Sequence, residues 1–189
     1  MTDRSSSSPI LQNLAHYQLP PDWSPGAPVW AQSLWFLFGS PLVANRWLPG
    51  SGWRSWLLCA FGATIGPGCR IKPGFRVKFP WRLTCGSDCW LGEDAWIDNL
   101  AAVTLGDRVV LSQGCYCCTG NHNFREPSFR LLICPITIGS DVWVGAKVVL
   151  APGTVVGDGA VLGLAAVVSG SVPPRAVMRG NPAVVTGQR

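Results

Sequence analysis

The chain has 189 residues, a formal net charge of +5, 13% charged and 48% apolar residues, ten Trp and eight Cys. That length suits one domain burying roughly two-thirds of its unfolded surface, and so little charge points to a surface covered by subunits of its own kind. No recognised nucleic-acid reader motif accompanies the positive charge, which turns attention to other anionic partners.

Residues 1–28 are Ser- and Pro-rich without a period, so an extended arm is expected. The start, MTDRSSSSPI, lacks a basic stretch followed by an apolar core, which argues for a reduced, cytoplasmic setting. Residues 29–61 are dense in Trp, Phe and Leu, broken by Gly39, Pro41 and Pro49. Their longest apolar stretch falls far short of the roughly 20 residues that span a bilayer. Two short helices covering the end of a repeat stack are expected here, because such a stack needs its end covered. The alternative is peripheral contact with the inner membrane face, supported by the Trp residues with Arg46 and Arg54. From Trp23 to Ser87 there is no Asp or Glu, while Arg46, Arg54, Arg70, Lys72, Arg76, Lys78 and Arg82 are basic. A run of one sign is either a solvated face or an invitation to coenzyme phosphates, a pyrophosphate-linked sugar or an anionic membrane.

A six-residue beat follows. Ile65, Ile71, Val77 and Leu83 carry it first, then Leu91, Ile97 and Val103, then Leu105, Leu111 and Cys117. Between Ile138 and Pro173 six hexads begin at Ile138, Val144, Leu150, Val156, Leu162 and Val168, with Gly139, Gly145, Gly157 and Gly163 after four of these leaders. Six fits neither a helical nor a plain strand period. An aliphatic leader, a glycine-bearing corner and β-branched residues read as a short strand plus a tight turn, three of which close a triangular coil. Small phase jumps at 89–90 and 103–104 mark two-residue insertions, and 119–137 is one long excursion. Cys69 and Cys115 fall at inward fifth positions and Cys89 and Cys117 at leaders, where cysteine acts as a small hydrophobe.

The hexads, with CCTGNHNFREPSF, PITIGSDVWVGAKVVLAPGTVVGDGAVLG and RGNPAVV, resemble the hexapeptide-repeat acyltransferases, most closely the acetyltransferases of colanic-acid and related exopolysaccharide biosynthesis. The resemblance implies an all-β fold: a left-handed parallel β-helix over 62–185 with an N-terminal arm and cap, 1–61, the inserted loop 119–137 and a tail, 186–189. It further implies a homotrimer with sites between subunits, acetyl-coenzyme A as co-substrate, a saccharide acceptor and no metal. A histidine in the long loop serves that family as general base, and it lands on His122. Neutral imidazole suits the task, and an activated thioester needs no nucleophilic side chain. The other histidine, His16, sits in the arm without a partner pattern. Asn121, Asn123 and loop amides are candidates for the oxyanion. Asp98 and Asn99 are polar in an apolar stretch one coil earlier and are expected to meet the acceptor, with Arg125, Glu126 and Ser128 as weaker candidates.

Positions matching the family's coenzyme contacts are Ala146, Leu164, Ala165 and Ser169. The family often carries basic residues where this chain has Gly170 and Gly187, so Arg175, Arg179 and Arg189 are the candidates for the phosphates. Trp143 is expected at the solenoid surface or a subunit interface. The spacing of Cys115, Cys117, Cys118 and His122 is not a usual zinc signature. Against the catalytic expectation stand a non-catalytic β-helix docking subunit and transfer to the amine of an amino sugar.

Overall fold

Strand pairing closes the hexads into a three-faced parallel solenoid in the computed structural model, which describes residues 14–17 and 19–189. The expected arm therefore lies partly outside the described residues. The first face stacks Thr64–Ile65, Leu83–Cys85, Val103–Leu105, Ile136–Ile138, Val155–Val156 and Ser171–Val172. The second stacks Arg70–Ile71, Trp90–Leu91, Val110–Leu111, Trp143–Val144, Val161–Leu162 and Ala176–Gly180. The third stacks Arg76–Val77, Trp96–Asp98, Tyr116–Cys118, Val149–Leu150 and Val167–Val168. An antiparallel strand, Ala183–Gln188, folds back on Ala176–Gly180, so residues 186–188 belong to the last sheet and are not a free tail.

Leaders point inward and stack on leaders. Ile71, Leu91, Leu111, Val144 and Leu162 form one column, and Val77, Ile97, Cys117, Leu150 and Val168 another. All of these are buried, and each such aliphatic side chain is worth about 1.5–3 kcal/mol of transfer free energy. Glycine after a leader has a steric cause: a Cβ on Gly145 would lie 2.6 Å from the Leu162 carbonyl oxygen of the next coil.

Register corrects the phase read from sequence. Ile65 pairs with Cys85 and Cys85 with Leu105, so Cys85 is the leader of the second coil, where the beat had suggested Leu83. Cys89 precedes its strand by the same offset as Cys69, making it a fifth-position residue and not a leader. Both remain buried or half-buried packing groups.

Every departure from six falls at one corner, between the third face and the first. There the leaders run Val77 to Cys85, Ile97 to Leu105, Cys117 to Ile138, Leu150 to Val156 and Val168 to Val172. This corner also holds Asn99, Thr119 and Thr154, which with Arg54 are the buried polar side chains among the described residues. Asn99 accepts the Phe79 N–H at 2.9 Å and donates to the Phe79 carbonyl at 2.8 Å. Thr119 donates to the Asp98 carbonyl and accepts the Ala101 N–H, both at 3.0 Å. Where extra residues break the ladder, these side chains satisfy the orphaned backbone.

The cap is helical, as expected: α1 (Val29–Leu34), a π-helical turn (Trp35–Gly39), α2 (Ser40–Val43) and α3 (Gly52–Ala60). Trp35, Gly39 and Val43 face the solenoid, and the Trp35 indole N–H reaches the Lys78 carbonyl at 2.9 Å. Arg54, cited above as a membrane-facing cation, is instead 1% exposed. Its guanidinium donates to the carbonyls of Val43 (3.0 Å), Asn45 (2.6 Å), Leu48 (2.9 Å) and Gly50, holding the turn between α2 and α3. No described helix is long and apolar enough to cross a membrane.

Candidate active site

The long excursion leaves the third corner as a β-hairpin, Gly120–His122 against Leu131–Ile133. Its tip is knotted by side chains. Asn123 donates to Glu126 at 2.7 Å and accepts the Arg125 N–H at 3.2 Å, while Arg130 Nε stands 3.5 Å from Glu126. Ser128 Oγ reaches Glu126 at 3.4 Å. Asn123, expected as an oxyanion or substrate donor, thus spends one amide N–H and its oxygen on the turn. Asn121 is exposed; its side-chain oxygen takes the His122 N–H at 2.8 Å, which leaves its NH₂ group outward.

His122 is half-buried against Phe129, the two rings stacked at 4.3 Å and 5°. Its Nδ1 lies 2.9 Å from the Phe129 carbonyl oxygen. A carbonyl only accepts, so Nδ1 carries the proton and Nε2 holds the basic lone pair. Phe129 adopts a left-handed φ of 48° to present both ring and carbonyl to the imidazole.

The arm reaches the same place, which sequence reasoning missed. The Tyr17 ring lies 5.8 Å from the His122 ring. The arm is strapped down beyond it: Trp23 Nε1 donates to the Leu100 carbonyl at 3.1 Å, Trp81 Nε1 to the Pro25 carbonyl at 2.7 Å, and Arg82 to the Ser24 carbonyl. A cleft of about 270 Å³ opens between arm and hairpin, lined by Pro20, Asp22, Trp23 and Arg130 to Ile133. Leu131, one of the residues lining this cleft, pairs directly with His122 across the hairpin. No local pattern in residues 14–23 signals this contact; it arises from tertiary folding alone.

Of the acceptor candidates, Asp98 stands on the third face just before the corner. Tyr116 donates its hydroxyl to Asp98 Oδ2 at 3.1 Å. Burial first, then the neighbouring Cys118 thiol and Asp98 carboxylate, raise the Tyr116 phenol and keep it a donor. Lys78 Nζ is 3.0 Å from Oδ1, close enough for an ion pair but out of line for a hydrogen bond, so that oxygen has no aligned donor among the described residues. Arg76 lies over Trp96 at 4.7 Å, and Trp96 packs on Tyr116 at 4.8 Å. Asn99 is a different case from Asp98. It is fully buried with both amide groups spent on Phe79, so the expected acceptor contact there is corrected to a corner brace.

The expected coenzyme residues separate. Ala146 and Leu164 share a recess of about 250 Å³ at the second corner with Ser112, Gln113 and Trp143. An adjoining recess of about 360 Å³ shares Trp143 and Leu164 and ends at Arg179. Trp143 is half-exposed and donates to Ser112 at 3.0 Å, forming one wall. Neither the Ala146 nor the Leu164 N–H donates to another described residue, whereas the Ala165 N–H is spent on the Ala146 carbonyl at 2.9 Å. Ala165, at φ 57°, is therefore a turn residue whose amide is not on offer. Ser169 is exposed on the chain leaving the third face. Arg175 lies at the first corner with Asp141, Asp158 and Arg189, a cleft of mixed sign unlike a phosphate site. There Arg189 donates to the Asp141 carbonyl at 2.9 Å and Arg175 to the Arg189 carbonyl at 3.1 Å.

The thiols near the hairpin do not converge on His122; Cys118 points its sulfur at the Gly120 carbonyl, 3.1 Å away. Among the described residues the grouped thiols are Cys69, Cys85 and Cys89, inside the first two coils, their sulfurs within 4.8 Å of one another.

Two family profiles match the chain, Bacterial transferase hexapeptide (six repeats) over 135–170 and Hexapeptide repeat of succinyl-transferase over 82–117. WcaF of Escherichia coli (strain K12), named for colanic acid biosynthesis acetyltransferase, is 37% identical over 184 residues, covering 95% of this chain and 98% of its own. A hexapeptide-repeat acetyltransferase from Vibrio cholerae, VCA0836, solved with acetyl coenzyme A, superposes with a TM-score of 0.76 at 24% identity, covering 84% of this chain and 86% of that one. Hexad architecture, profile matches and near full-length similarity agree: the chain belongs to the hexapeptide-repeat acetyltransferases, in the group that includes WcaF.

Proposed function

We propose that this protein transfers the acetyl group of acetyl-coenzyme A directly to a hydroxyl of a saccharide intermediate in exopolysaccharide assembly, as a homotrimer, with His122 as general base. The observation that carries this reading is the geometry of His122: Nδ1 lies 2.9 Å from the Phe129 carbonyl oxygen, which assigns the proton to Nδ1, and Nε2 has no hydrogen-bond partner among the described residues. Nε2 takes the acceptor's hydroxyl proton as its oxygen attacks the thioester carbonyl carbon. The C–S bond then breaks, and Nε2 gives its proton to the departing sulfur, so the coenzyme leaves as the free thiol. Imidazole is regenerated and no metal or covalent enzyme intermediate is needed.

The unsatisfied N–H groups of Ala146 and Leu164 support a seat for the pantetheine amides along the second corner, with Arg179 toward the phosphates. The cleft between arm and hairpin, with Trp23 as an aromatic wall and Asp22 and Arg130 as polar groups, and the Tyr17 ring 5.8 Å from the imidazole, support a saccharide site near the base. The sugar acetyltransferases among its relatives, such as the galactoside O-acetyltransferase of Escherichia coli (strain K12), 36% identical over 83 residues, are consistent with that acceptor class.

The test is acetyl transfer from radiolabelled acetyl-coenzyme A to a panel of saccharides by the wild-type protein and His122→Ala. The variant is expected to lose about 10²- to 10⁴-fold in kcat while binding coenzyme A with unchanged affinity. Full activity in the variant removes His122 from the mechanism; no coenzyme binding by the wild-type protein favours the non-catalytic docking subunit.

A further inference from the structure

The helical cap has two apolar faces, and only one is used. Trp35, Gly39 and Val43 are buried on the solenoid, while Trp30, Leu34, Leu37, Phe38 and Leu42, on the opposite side of the same helical run, are exposed. Trp47 and Trp56 extend this surface and are 91% and 70% exposed. Between Trp23 and Phe61 the only charged residues are Arg46 and Arg54; Arg54 is buried, and Arg46 pairs with Asp94. The outer surface of the cap is therefore almost free of charge and rich in Trp, far beyond the scattered apolar residues of an ordinary surface.

Cations stand directly beneath it. α3 packs on the first coil, and Ser51, at its start, exchanges hydrogen bonds of 3.1 Å with the Ile71 backbone. On that coil Arg70, Lys72 and Arg76 are exposed, and no Asp or Glu occurs anywhere from Trp23 to Ser87. Apolar, Trp-rich surface with a fringe of one positive sign matches the interface of an anionic bilayer, where indoles seat at headgroup depth and Lys and Arg meet lipid phosphate. A second copy docked end to end would bring the same cations against each other with no acid in the cap or first coil to offset them. The run from Val29 to Val43 spans roughly 22 Å at 1.5 Å per residue, shorter than the hydrocarbon core, so the helix lies in the interface and does not cross it.

We infer that the outer face of the cap is a docking surface for anionic membrane, seating Trp30, Leu37, Phe38, Trp47 and Trp56 at the headgroup level with Arg70, Lys72 and Arg76 against lipid phosphates. Any cyclic assembly carries its copies' caps to the same end, so a trimer presents three such surfaces to one membrane and gains avidity.

The experiment is flotation of the full chain with phosphatidylcholine vesicles, with and without phosphatidylglycerol, at low and high salt. It needs no turnover, so its outcome is independent of the acetyl-transfer assay. The wild-type protein is expected to float about tenfold more with the anionic vesicles, less at high salt, with a blue shift of Trp emission. Leu37→Glu with Phe38→Glu is expected to lose that binding while keeping the wild-type circular dichroism and coenzyme A affinity; Arg70→Gln with Lys72→Gln is expected to lower it and flatten its salt dependence. Equal flotation with both vesicle types, retention of binding by the Leu37→Glu, Phe38→Glu variant, or a change in that variant's oligomeric mass, which would make the face a contact between copies, each overturns the proposal.

Discussion

Asn99 and His122 carry opposite lessons at the scale of single residues. His122 was legible because it is a rare residue type inside the one long break of a strict pattern. Which of its ring nitrogens carries the proton was not, because the tautomer depends on a carbonyl seven positions away that only the hairpin brings into reach. Asn99 looked like a ligand because a polar residue interrupts an apolar stretch, yet the polarity serves the Phe79 backbone. Replacing Asn99 with Leu strands a buried N–H and a buried carbonyl, and is expected to cost about 2–4 kcal/mol of stability, read as a lower urea midpoint with unchanged coenzyme affinity. A stable variant with a raised acceptor KM would instead return Asn99 to the binding site.

Most of the hexads with their leaders, the helical cap and the inserted loop were readable from the sequence at the scale of elements. The misread phase at Leu83 has a simple cause. In the three-residue strands Leu83–Cys85 and Val103–Leu105 both ends point inward, so sequence offers two leaders two positions apart and only pairing chooses. The arm's approach to the hairpin was not readable, since its straps are tertiary hydrogen bonds from Trp23, Trp81 and Arg82. If the arm is a wall of the saccharide site, Tyr17→Ala is expected to raise the acceptor KM roughly tenfold and leave the KM for acetyl-coenzyme A unchanged. Tyr17→Phe, which keeps the ring, should stay near wild type. A loss confined to kcat in both variants would assign Tyr17 to the proton path instead.

The solenoid decides which thiols exist chemically at the scale of the whole molecule. Burial pushes the Cys115 thiol up to about 11. Hydrogen bonding from Cys85 pulls Cys89 down to about 7, yet Cys89 is fully buried, so access limits its reaction. Cys85, Cys89, Cys115 and Cys117 are therefore expected to resist a thiol reagent in the native protein at mildly alkaline pH and to react together on unfolding, as mass spectrometry of partly labelled protein would show. Stepwise labelling of these four without unfolding would mean that the coils open one at a time.

The third corner can also be viewed as the molecule's expansion joint. Two corners hold a fixed stride and so keep every coil in phase, while the third takes up residues in surplus or deficit without passing the error along the stack. A hairpin moved to the same corner one coil earlier, between Ile97 and Leu105, would leave the stacking columns intact. It would carry His122 about 4.8 Å along the axis, turning the position of that imidazole along the solenoid into a length that can be set in units of one coil.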